Sequence, residues 1–155
     1  MMDKKFNRWL PMTALVLMLL IALPACTTAG TESGVQWMTL EDTQWKLLQL
    51  RDEAVPEQEN MMRHPVLAFL PDGRVAGSDG CNRLMGGYQE QGRQLSFTQM
   101  ASTRMACVDG MEVADSFNYL IALVRSYEIK DDLLELFSDS GELLMRFQVD
   151  TAAEN

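Results

Sequence analysis

The feature that most constrains this chain is a series of turn sequences set between short β-forming runs. Pro71-Asp72-Gly73 divides PVLAFL from RVAGS, and Gly92 divides GGYQEQ from RQLSFTQM. Further on, Asp131-Asp132 and Asp139-Ser140-Gly141 separate YEIK, LLELFS and LLMRFQV. Proline fixes one turn dihedral and glycine tolerates positive φ, so each run is expected to fold back antiparallel on the one before it. In the last run Met145, Phe147 and Val149 alternate with Arg146 and Gln148, the period of a strand with one buried face. TQWKLLQL, from Thr43, also reads as a strand, but its facing is ambiguous: Trp45, Leu47 and Gln49 oppose Lys46, Leu48 and Leu50. RDEAVPEQENMMRH is polar and reads as an exposed connection.

One segment departs from the strand rhythm. From Met111 to about Ser126 the apolar residues Val113, Phe117, Leu120, Ile121 and Val124 recur at three- and four-residue spacing, which predicts one amphipathic helix. Asp109 is placed to cap it, and Glu112 lies in a first turn, where negative charge suits the helix dipole. About seven strands and one packed helix make an α+β domain dominated by antiparallel sheet.

The N-terminus has a different character. Lys4, Lys5 and Arg8 precede an uncharged apolar run, Met12 to Leu23, of 12 residues. A bilayer crossing needs roughly 20, whereas a basic start and a short apolar core mark a secretion signal. The run ends in Leu23-Pro24-Ala25-Cys26, which resembles the lipobox of bacterial lipoproteins. The expected organisation is a lipoprotein signal peptide over 1–25, a lipidated Cys26 with a small, polar tether over 26–40, a domain over 41–149 and a tail over 150–155. Thr27, rather than an aspartate, follows the anchor, so no inner-membrane retention signal is visible. In a Gram-negative host the protein is therefore expected in the cell envelope, on the periplasmic side of the outer membrane. Loss of residues 1–25 removes three cations and Asp3, a charge of +2, and takes the chain from −9 to −11. That charge argues against nucleic acid and anionic lipid surfaces as partners. The membrane is expected to be met through the N-terminal lipid alone.

Cys81 and Cys107 remain after Cys26 is assigned to the anchor. Export to an oxidising compartment and an even count favour a disulfide; two free thiols, or metal or redox chemistry, are the alternatives. Zinc has little support, since His64 is the only histidine and no four-ligand spacing is present.

Gly77-Ser78-Asp79-Gly80-Cys81-Asn82 followed by Gly86-Gly87-Tyr88, with Thr103-Arg104-Met105-Ala106-Cys107 beyond it, resembles the G-x-x-G-C-N…G-x-Y and T-x-M-A-C hallmarks of the META domain family. This is the family of HslJ-like heat-inducible bacterial lipoproteins. The likeness spans about residues 41–149 and departs at Leu84, where the family often carries an aromatic residue. It implies a strongly curved sheet or partly open β-barrel with a helix across it, an association with envelope stress and antibiotic tolerance, and no catalytic residues. The motif residues Gly77, Gly80, Cys81, Asn82, Gly87, Tyr88, Thr103, Met105 and Cys107 are read as structural. The glycines permit close approaches, Asn82 and Thr103 bond local backbone, and Met105 fills apolar space. The functional alternative is that this patch receives a peptide or ligand.

Other candidates are weaker. Met61-Met62-Arg63-His64 and Met100…Met105 have the soft donors of a copper(I) site, yet methionine is also an adaptable core filler. No G-x-S-x-G surrounds Ser78, Ser102 or Ser116, and Asp131-Asp132 and Asp52-Glu53 lie in expected turns or loops. The expected function is therefore that of a non-enzymatic envelope lipoprotein, without cofactor or metal, that binds a protein or peptide partner. The alternative is a periplasmic inhibitor of a lysozyme or protease; a hydrolase or transferase ranks last.

Overall fold

A computed structural model describes residues 38–55 and 63–151. The signal peptide, Cys26, most of the tether, Met61, Met62 and residues 152–155 lie outside the described residues. Among the described residues nine strands and one α-helix follow in the order β1 (Thr43–Leu50), β2 (Glu53–Ala54), β3 (Val66–Leu70), β4 (Arg74–Ser78), β5 (Arg83–Gln91), β6 (Gln94–Ser102), α1 (Met111–Ile121), β7 (Ser126–Lys130), β8 (Leu133–Phe137) and β9 (Leu143–Val149).

All pairings are antiparallel, and neighbours follow chain order from β3 to β9. β1 then pairs with β3 on one side and β9 on the other, so the sheet closes into a ring. The ring is uneven: β6 and β7 meet in register only at Gln94↔Ser126, whereas β5 and β6 run together from Leu84↔Ser102 to Gln91↔Gln94. Nine strands, rather than about seven, correct the expectation from sequence. Part of the difference is β2, a two-residue strand inside the stretch read as a loop. It is held by pairing to Gln49 and Leu50 and carries no periodicity of its own.

Two bulges resolve the facing of the strands that close the ring. In β1, Leu47 opposes Phe147 and Gln49 opposes Arg146, leaving Leu48 as the extra residue. Trp45 and Leu47 therefore point inward before the bulge and Leu50 after it, and all three are buried. In β9 the register shifts between Leu136↔Met145 and Phe137↔Leu143, so Leu144 and Met145 are both buried although adjacent. Beyond them the alternation holds: Phe147 is buried and Gln148 exposed. On the outer side, Arg146 ties three strands together. Its Nη1 donates to Gln49 Oε1 of β1 at 2.8 Å and its Nε to Glu135 Oε1 of β8 at 2.8 Å.

The helix is shorter than expected and begins differently. Gly110, with φ 90°, occupies the cap position, with no side-chain cap bond, in place of Asp109. A left-handed residue at that point suits glycine, and the turn it makes leaves no capping role for the preceding aspartate. α1 ends at Ile121, after which turn bonds from Leu123 N–H to Leu120 O and, longer at 3.4 Å, from Val124 N–H to Ile121 O lead into β7. Its Ala114-Phe117-Leu120-Ile121 face is buried, and Phe117 meets Phe147 edge-on with ring centroids 6.3 Å apart. Trp45, Leu67, Phe69, Leu134, Leu136 and Phe147, each without solvent exposure, fill the core.

Candidate functional site

The motif residues converge on the turn between β4 and β5. Asp79 is fully buried there, and its carboxylate accepts four hydrogen bonds. Cys81 N–H and Asn82 N–H donate to Oδ1 at 3.0 and 2.6 Å. Asn82 Nδ2 and Asn118 Nδ2, the latter from α1, donate to Oδ2 at 3.1 and 2.6 Å. A buried carboxylate is tolerated only where its lone pairs are filled, and here neutral amides fill them. Asn82 passes the connection on: its Oδ1 accepts Met105 N–H at 2.9 Å. Thr103 Oγ1 accepts Arg83 N–H at 3.1 Å, and Thr103 N–H returns a bond to Arg83 O at 3.1 Å. The Cys81–Cys107 disulfide, with Cα atoms 6.0 Å apart, fastens the same turn to the segment leading into α1.

The two hallmarks thus form one polar knot joining β4, β5, the 103–107 segment and α1. Within it Gly80 takes φ 104°, and at Gly77 a Cβ would lie 2.0 Å from Val66 O of β3. Met105 contributes its backbone N–H, while its side chain is 40% exposed rather than filling apolar space. Gly87 and Tyr88 sit apart from the knot. Gly87 lies where a Cβ would meet Thr98 Oγ1 at 2.9 Å, and Tyr88 packs edge-on against Phe69 at 5.0 Å. Burial, then the carboxylates of Glu41, Glu90 and Asp42, push the Tyr88 phenol above its ordinary pKa. Tyr127 is raised more strongly, by burial and by its hydrogen bond to Glu90.

Sequence reasoning quoted Asp79 within the motif without giving it a role, and passed over Asn118 altogether. The available signal was local: an aspartate two and three residues before backbone amides in a glycine-rich turn is placed to bond them. The knot's side chains are largely spent on internal bonds, and no group of three or more His, Cys, Asp or Glu suited to a metal ion occurs among the described residues.

A different feature is open to solvent. Between the Leu50–Val55 hairpin and one face of α1 lies a cleft of about 710 Å³. Leu50 and Leu120 contribute apolar floor, Tyr119 stands 62% exposed at the wall, and Asp52, Glu53 and Glu112 lie along the rim.

The matching family model is that of the META domain, over residues 38–151. The chain belongs to the META domain family. This META domain resembles a protein from Burkholderia xenovorans solved by NMR, with 26% identity, 72% of this chain and 84% of that one covered, and a TM-score of 0.59. A second NMR structure is 17% identical, with 77% and 100% covered and a TM-score of 0.59. A crystal structure of a DUF4847 family protein from Bacteroides vulgatus is 13% identical, with 69% and 92% covered and a TM-score of 0.54. The last two likenesses are of fold alone. No curated protein matches the chain significantly.

Proposed function

We propose that this chain is a non-enzymatic lipoprotein of the bacterial envelope. Lipid on Cys26 would hold it to the periplasmic face of the outer membrane, where its META domain binds a protein or peptide partner and contributes to envelope stress or antibiotic tolerance. Membership of a family without an established catalytic activity supports the non-enzymatic part. The observation that carries the binding part is the open cleft beside α1. The core side chains are packed against one another, so a partner is better received at the surface, and this cleft pairs an apolar floor with an exposed aromatic ring.

Affinity capture from envelope extracts, with the lipid anchor intact and a lipid-anchored control protein alongside, tests the reading. A partner enriched over the control, and displaced by excess unlabelled protein, is expected. Enrichment of nothing over the control rejects it. The acidic rim also favours a second reading, inhibition of a cationic lysozyme or protease, which a direct inhibition assay separates from the first.

A further inference from the structure

We infer that the cleft between the β1–β2 hairpin and α1 is a docking groove for an extended, cationic segment of a partner protein. The inference rests on the partner-binding reading above and adds the place and the chemistry. Three observations converge on the groove. Its rim is acidic: Asp52, Glu53 and Glu112 have no ion-pair partner among the described residues, while Arg51, the one cation lining the cleft, is engaged by Glu142 at 3.5 Å. The rim therefore carries a net negative field that only a basic occupant complements.

One wall of the groove also carries a strand edge that no other strand among the described residues pairs. β2 pairs with β1 through Gln49↔Ala54 and Leu50↔Glu53 and, among the described residues, stands last in the strand order. Its outer edge has backbone groups to offer, and an extended segment pairs with such an edge by main-chain hydrogen bonds. Alternate side chains of that segment would then face the groove.

The floor and the opposite wall, finally, accept what such side chains present. Leu50 and Leu120 offer apolar contact, and the exposed Tyr119 ring offers a face to a lysine or arginine. A basic residue at every second position fits all three features together, its aliphatic stem on the floor and its charged head at the rim. Anionic or purely apolar segments would satisfy the floor and leave the rim carboxylates uncompensated.

The probe is a short peptide of alternating lysine and valine, titrated calorimetrically into the full chain in detergent at low salt, with a glutamate–valine peptide as control. Saturable binding of the lysine peptide alone is expected, weakening as salt rises. The triple variant Asp52→Asn, Glu53→Gln, Glu112→Gln is expected to weaken it about tenfold, each rim charge contributing modestly. Tyr119→Ala, which leaves net charge unchanged, is expected to weaken it about threefold. A matched triple at exposed positions elsewhere, Asp109→Asn, Asp131→Asn, Asp139→Asn, is expected to stay within about twofold of the unsubstituted protein. Melting temperatures identify a variant that fails to fold, and the single changes Glu53→Gln and Tyr119→Ala then replace it. No saturable binding overturns the inference. So does an equal loss in the two triples, which reduces the effect to net charge. The capture experiment separates the two levels: a partner retained equally by the unsubstituted chain and the cleft triple sustains partner binding and overturns the cleft as its site.

Discussion

Asn118 of α1 donates its Nδ2 to Oδ2 of Asp79, in the turn between β4 and β5, at 2.6 Å. Asn118 is anchored in turn by a bond to Ala114 O at 2.7 Å, so the contact couples the helix itself, rather than a loose side chain, to the turn. Through it the glycine-rich hallmark and the helix that walls the cleft become one mechanical unit.

Replacing Asp79 by alanine is expected to destabilise the fold by about 3 kcal/mol or more, because two backbone amides and two side-chain amides lose their acceptor. Asn118→Ala should cost less, about 1–2 kcal/mol, since the carboxylate keeps three of its four donors. Urea unfolding followed by tryptophan fluorescence measures both. Equal, sub-kilocalorie effects would show that the knot does not hold the helix.

The Cys81–Cys107 bridge closes a loop across a separation of 26 residues. In the chain-entropy model this stabilises the fold by about 3.5 kcal/mol. Reduction, or the double change Cys81→Ser, Cys107→Ser, should lower the unfolding midpoint by a corresponding amount. An unchanged midpoint would mean that the polar knot alone restrains the turn.

Gly77→Ala and Gly92→Ala form a contrasting pair. At Gly77 an added Cβ meets Val66 O at 2.0 Å, so β3 and β4 must move apart, at a cost of about 2–3 kcal/mol. At Gly92 nothing lies within 4 Å, and only the φ of +61° resists a side chain, at about 1 kcal/mol. Thermal unfolding of the two variants should rank them in that order; a Gly92 variant less stable than the Gly77 variant would refute the close-approach account.

The tyrosines predict an alkaline limit to stability. Tyr88 and Tyr127 have pKa values raised in the folded protein above the ordinary 10.0, by burial first and by carboxylates including Glu90. The native state then holds protons that the unfolded chain releases, so their contribution is complete below about pH 10 and declines as pH rises further. Stability measured from pH 8 to 11.5 should fall above pH 10, and Tyr127→Phe should make that fall shallower. A flat profile, or one no different in the variant, would contradict this.

How much of this was readable in advance follows the range of the interactions. The Pro71-Asp72-Gly73 hairpin and the alternation of Phe147 and Gln148 were legible because turn chemistry and strand period are local properties. Closure of the ring was not, since Trp45 and Val149 pair across most of the domain and nothing near either residue announces it. The bulges at Leu48 and Leu144 were hidden for a related reason: an extra residue is defined only against its partner strand. Asp109 looked like a cap because of its side chain, but the positive φ of Gly110 decided where the helix starts. The knot was half visible, its cysteines and glycines standing out while the Asp79–Asn118 contact depended on how α1 docks. The cleft was the least legible, because it exists only once the hairpin ending in β2 is set beside the helix.

The envelope reading depends first on Cys26, and intact mass spectrometry of the protein purified from membranes with detergent tests it directly. The account predicts a mature chain beginning at Cys26 and carrying a lipid modification on that residue. An unmodified N-terminus at any other position would contradict it.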